Sequence, residues 1–192
     1  MKETILLLGM IGMLGVSGTA FGDPASIERD LGLTATRGGV KTMRMQTTRT
    51  GVVMSKGKQV EKAVKVYKDS QATVPVFFEL GRTMFEKRDA VNNELALMDL
   101  AKVMKKYSNM HFVIEGHTCD LGTEAGNVKM SWARAEAVKG RMIQLGVDPM
   151  RLVVLGFGER EGPKHFDEKD RSAATDEARK AYRRVVVRQV AR

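Results

Sequence analysis

The stretch from His111 to Gly146 constrains the fold of this chain more than any other. HFVIEG (111–116) is a short β-rich run, and GHTCDLGTEAGN (116–127) is a polar, glycine-bounded loop. From Glu124 to Leu145 the apolar spacing is that of a long helix, stopped by Gly146 and then Asp148-Pro149. Runs of the same two kinds lie on either side. VPVFFEL (74–80), RLVVLGFG (151–158) and YRRVVVRQV (182–190) read as strands. Arg88 to Tyr107 reads as a helix, with Val91, Leu95 and Met98 on one face and further apolar positions beside it. Residues 159–180 are charged and irregular. The order is therefore β-α-β-α-β-loop-β. Helices placed between strands imply crossovers. The economical fold is α/β: a two-layer sandwich with a mixed sheet and helices on one face.

On a wheel of 100° per residue, Asn127, Ser131, Arg134, Ala135, Val138, Met142 and Leu145 share one side of the long helix. The stripe is apolar in its last turns and polar in its first two, beside the 116–127 loop. Inward polar groups are costly unless paired. Two arrangements satisfy them. Asn127 and Ser131 tie down the loop while Arg134 pairs with Asp120 or Glu115; or the stripe floors a pocket in which Arg134 awaits a ligand carboxylate. Arginine suits the second role, because its planar fork binds a carboxylate through two parallel hydrogen bonds.

The first 22 residues have another character. Lys2 precedes an apolar run from Ile5 to Val16, and Ala20-Phe21-Gly22 supplies small residues at −3 and −1 of a cleavage site before Asp23. Residues 1–22 are expected to be a removed signal peptide, with an uncleaved anchor as the alternative. The rest is expected in the periplasm, associated with the outer membrane or cell wall. The formal charge is +9, and it is uneven. Residues 23–68 hold ten Lys and Arg against four Asp and Glu. Residues 23–72 therefore read as a basic N-terminal segment or linker, either a solvated arm or one drawn to an anionic surface. Within it, TGVVMSKGKQVEKAVKVY reads equally as one or two strands or a short helix. Cys119 is the chain's only cysteine, so no internal disulfide forms.

Residues 73–192 resemble the OmpA-like domain, the peptidoglycan-binding module named after outer-membrane protein A. Gly116, His117 and Thr118, then Gly122, Asn127, Ser131, Arg134 and Ala135, follow that family's pattern at its spacing. VFFELGRTMF, GVDPMRLVVLGFGE and Arg183-Arg184-Val185 resemble its other landmarks. The resemblance implies a peptidoglycan site and no catalysis or cofactor. Arg134 would clamp a carboxylate of the stem peptide's diaminopimelate, Asn127 would support it, and Gly116, His117, Thr118, Gly122 and Ser131 would shape the site.

The chain departs from the pattern at Cys119, where the family has the aspartate that binds the ligand's ammonium. A thiol is mostly neutral at pH 7 and does not replace a carboxylate. Asp120 is next along and is expected to stand in for it. Loss of one charge-assisted hydrogen bond weakens binding by about 1.5–3 kcal/mol. The alternative function is an envelope protein-interaction module whose peptidoglycan site has weakened, with other envelope proteins, or a second copy cross-linked through Cys119, as partners.

Other classes are weaker. The only histidines are His111, His117 and His165, and they form no zinc-ligand motif. His117 is two residues from Cys119, which does not make it a positioned base. Basic residues are not interleaved with aromatics as in nucleic-acid stacking platforms, so no nucleic-acid partner is expected.

Overall fold

The computed structural model describes residues 24–31, 45–68, 70–74, 76, 78–79, 81–83, 90–160, 179 and 181–191. The expected signal peptide and most of the 159–180 loop lie outside them. The described elements are helix α1 (Pro24–Asp30), strands β1 (Gln46–Ser55), β2 (Lys58–Tyr67) and β3 (Ala72–Val74), and helix α2 (Ala90–Lys106). There follow β4 (Phe112–Gly116), helix α3 (Glu124–Gln144), a short 3₁₀ turn (Pro149–Arg151), β5 (Leu152–Gly156) and β6 (Val185–Gln189).

Six strands form one mixed sheet in the order β2-β1-β5-β4-β6-β3. The β4–β5 pair, joined through α3, is parallel; β4–β6 and β3–β6 are antiparallel. β4 lies between β5 and β6, and all five of its residues are buried. That is why HFVIE is apolar on both faces rather than alternating. The final strand, β6, thus sits inside the sheet, between β4 and β3.

Alternation along the strands sorts side chains between two cores. Phe112, Ile114, Leu152, Val154, Val185 and Val187 pack with the helices, against Leu97, Leu100, Met104, Ala135, Val138 and Met142. Val113 and Leu155 face the other way, into a second cluster with Val64, Val66 and Phe157. The helices cover one face of the sheet, as the α/β reading requires. Hairpin β1–β2 covers the other. β1 meets β5 at Val52↔Gly156, while Val66 of β2 bridges Val190 just beyond β6, so the hairpin bends across the helix-free face. The stretch left open between strands and a short helix is therefore two strands joined by the two-residue turn Lys56-Gly57. Leu31, behind α1, is fully buried in the helix-side core, so this early region also supplies core side chains.

Two expectations need correction. VPVFFEL is not one strand: β3 covers Ala72–Val74. Beyond it Val76 and Phe78 do not extend β3; they bury their side chains in the helix-side core, and that burial sets the path of the chain there. The core face of α2 is also different. Val91, Leu95 and Met98 are 72%, 50% and 39% exposed. The buried face is Asn93, Ala96, Leu97, Leu100, Ala101, Val103 and Met104. Two apolar stripes run along this helix, and the wider one covers the sheet.

Candidate functional site

Gly116 ends β4 where α3 crosses it. A Cβ there would lie 1.9 Å from the Ser131 carbonyl oxygen, so only glycine allows helix and strand this close. The start of the loop is then pinned on both sides of β4. His117 N donates to the Arg184 carbonyl at 3.0 Å and Thr118 N to that of Gly158 at 2.9 Å. Gly122 turns the chain at φ +103°, a conformation open to glycine and strained for other residues. Thr123 caps α3, its hydroxyl accepting from Gly126 N at 3.2 Å.

Between this loop and the first turns of α3 lies a cavity of about 360 Å³. Its described walls include Thr118, Cys119, Gly122, Asn127 and Arg134 from the expected set. Gly81, Leu121, Thr123, Gly126, Met130 and Arg183 complete them. Arg183 was legible only as a family landmark before the last strand; nothing in its spacing marked it as a neighbour of Arg134.

Arg134 is 2% exposed. Its Nε donates to the Arg82 carbonyl at 3.1 Å and its Nη2 to the Glu79 carbonyl at 3.2 Å. The guanidinium carbon lies 5.2 Å from the centre of the Phe78 ring, a cation–π distance. Burial pushes its pKa down to about 10; Cys119 opposes that fall and Arg183 adds to it. At neutral pH the side chain is charged. Among the described residues it has no carboxylate partner, because both candidates are engaged elsewhere. Glu115 points to the opposite face of the sheet, where it accepts from Arg49 at 2.9 and 3.0 Å and from Arg188 at 3.1 Å. Asp120 accepts from Arg179 Nε at 3.0 Å.

Cys119 and Asp120 have separated as adjacent residues do. Cys119 is buried in the cavity wall; Asp120 is not a lining residue and is held by Arg179. Asn127 lines the cavity, its Nδ2 donating to Glu159 at 2.8 Å. Ser131 does not line it. Its hydroxyl donates to the Val128 carbonyl and accepts from Gly158 N, both at 2.8 Å, which ties the loop after β5 to the helix. His117 lies behind the loop, its ring stacked on Phe157 at 5.4 Å. It is thus on the helix-free side of the sheet and does not form a dyad with Cys119 in the cavity. Among the described residues no cluster of His, Cys, Asp or Glu could hold a metal ion.

A family model described as the OmpA family matches residues 77–179. The chain belongs to the OmpA family. Over 77 residues it is 38% identical to outer membrane porin F of Pseudomonas aeruginosa, a match covering 39% of this chain and 22% of that protein. It is 32% identical over 77 residues to the peptidoglycan-associated lipoprotein of Buchnera aphidicola, covering 39% of this chain and 44% of that one. The chain thus spans less than half the length of these curated relatives. The C-terminal domain of Helicobacter pylori MotB superposes with a TM-score of 0.50 at 20% identity, over 63% of this chain and 85% of that domain. That likeness is one of fold. The family match includes Cys119, Asn127 and Arg134 but not Arg183 or the β1–β2 hairpin.

Proposed function

We propose that the chain is exported to the periplasm by a cleaved signal peptide and binds peptidoglycan non-covalently, through Arg134 and a carboxylate of the stem peptide's diaminopimelate. One observation carries this reading. Arg134 is buried, charged, and bonded only to two backbone carbonyls among the described residues, at the wall of an open cavity. Burying a charge without a counter-charge is costly, and a ligand carboxylate would offset that cost. A relative whose name is peptidoglycan-associated lipoprotein supports the choice of ligand. Among the described residues no helix is long and apolar enough to cross a membrane.

Co-sedimentation with purified sacculi tests this. The wild type is expected in the pellet, and Arg134→Ala is expected to lose roughly ten- to a hundredfold in affinity, the effect of one charge-assisted bond. Equal, poor sedimentation of both would sink the proposal. The second reading, an envelope protein-interaction module, is favoured by the exposed Val91, Leu95 and Met98 stripe on α2. It predicts that sacculi retain neither protein.

A further inference from the structure

The β1–β2 hairpin is longer than the core it covers. Alternate residues of a strand point to opposite faces, and residues paired across two strands share a face. On one face of β2, Val64 and Val66 are buried in the helix-free core. Nearer the turn the same face carries Lys58, Val60 and Lys62, and every residue from Ser55 to Ala63 is exposed. Val60 is 45% exposed, and opposite it on β1 stands Val53, at the edge of that core. The apolar strip of the hairpin therefore runs out into solvent between two lysines. Lys56 stands in the turn, and Lys65 and Lys68 are exposed further along. None of these lysines has an ion pair among the described residues. The acidic groups nearby are placed or paired elsewhere. Glu61, the only acidic residue between Met45 and Lys68, alternates to the face of Gln59, whose Nε2 donates to the Ala125 carbonyl at 3.1 Å in the first turn of α3. At that turn Glu124 is paired with Arg160 at 3.1 Å, and Glu159 accepts from Asn127. Glu115, on the helix-free side, is wholly buried and held by Arg49 and Arg188. One face of the hairpin tip thus leans on α3, and the other presents Lys58, Val60 and Lys62 to solvent.

We infer that the tip of the β1–β2 hairpin docks on the surface of an anionic phospholipid bilayer, with Lys56, Lys58 and Lys62 at the headgroups and Val60 entering the boundary beneath them. Lysines flanking an exposed aliphatic side chain suit that boundary: the ammonium groups meet lipid phosphates while the apolar group leaves water. A hydrated anionic polymer of the cell wall would use the lysines and gain nothing from Val60. The hairpin lies outside the family match, and its tip contributes no described wall of the cavity. The inference therefore goes beyond the peptidoglycan reading and does not depend on it.

The full chain is titrated with vesicles of phosphatidylcholine, pure or mixed with phosphatidylglycerol. A lysine near an anionic surface strengthens binding about fivefold, so phosphatidylglycerol is expected to raise partitioning about a hundredfold at low salt. Most of that gain should vanish at high salt. Lys56→Gln, Lys58→Gln and Lys62→Gln together should abolish the gain and leave the urea midpoint and sacculus retention unchanged. Val60→Trp is expected to be quenched by brominated lipid in the anionic vesicles well beyond the wild type, whose only tryptophan is Trp132. Equal partitioning of the wild type into both kinds of vesicle would overturn the inference, whatever the variants do. So would an undiminished gain in the triple variant, or a Trp at position 60 that brominated lipid does not quench. Loss of sacculus retention in the triple variant, with no preference of the wild type for anionic vesicles, would assign the lysines to a wall polymer instead. Vesicle binding that survives Arg134→Ala while sacculus retention is lost would show the two surfaces to be independent.

Discussion

Arg134 and the Arg49–Arg188 pair lie on opposite sides of one sheet and carry their charge differently. On the hairpin side, Arg49 and Arg188 converge on Glu115, which is wholly buried, and Arg49 also stacks over Phe157 at 4.6 Å. The charge is largely answered inside the protein, and the cluster fastens β1 to β4 and β6. On the helix side, Arg134 meets only carbonyl dipoles among the described residues and faces a cavity. Arg151 separates these two effects. It too is buried and bonded to carbonyls, those of Met104, Tyr107 and Met110 at 2.7–2.8 Å, and burial lowers its pKa. Met104 lies in the last turn of α2 and Tyr107 directly follows it, so Arg151 serves as its cap. A buried arginine without a carboxylate is thus not by itself a site. The cavity beside Arg134 makes the difference.

Three substitutions test that contrast. Removing the shared counter-charge with Glu115→Ala leaves two guanidiniums facing a desolvated gap. It should cost about 3–5 kcal/mol, the usual effect of breaking a buried ion pair from one side. The urea midpoint, at unchanged slope, reads this directly. Arg151→Met should cost about 1.5–3 kcal/mol, as expected for lost hydrogen bonds to a charged donor, with sacculus retention per folded molecule unchanged. Arg134→Met should alter stability least, within about 1 kcal/mol, because relief of a desolvated charge offsets two lost carbonyl bonds. Its melting curve should nearly overlay that of the wild type while sacculus retention falls. Destabilisation equal to that of Arg151→Met, with retention intact, would make Arg134 a structural prop.

Helical spacing alone was enough to predict the buried stripe of α3. Asn127, Ser131, Arg134, Ala135, Val138 and Met142 are all buried, while Leu145 at the helix end is only partly so and the buried Val128 lay outside the stripe. The same rule was ambiguous for α2, where Val91, Leu95 and Met98 compete with a wider stripe through Leu97, Leu100 and Met104. Periodicity finds apolar faces without saying which one meets the sheet. The end of β3 at Val74 was not legible, because β3 is an edge strand and edge strands tolerate proline. The pairing of Glu115 with Arg49 was not legible, since the two are 66 residues apart and meet only through the bend of the hairpin. Arg183 reaches the cavity for a similarly non-local reason, standing just before β6 where the chain re-enters the sheet.

The position of β6 has a consequence for how the molecule is made. Its ladder with β4 pairs Phe112 with Gln189 and Gly116 with Val185, and β3 pairs with its other edge. Until β6 has been synthesised, one edge of β4 is unpaired and β3 has no neighbour. The order of synthesis and the order of assembly are therefore mismatched, and pairings this distant in sequence close slowly. A chain cut before Arg183 would lose the strand that joins β3 to β4 and one wall of the cavity together. The site cannot exist before the last strand is in place.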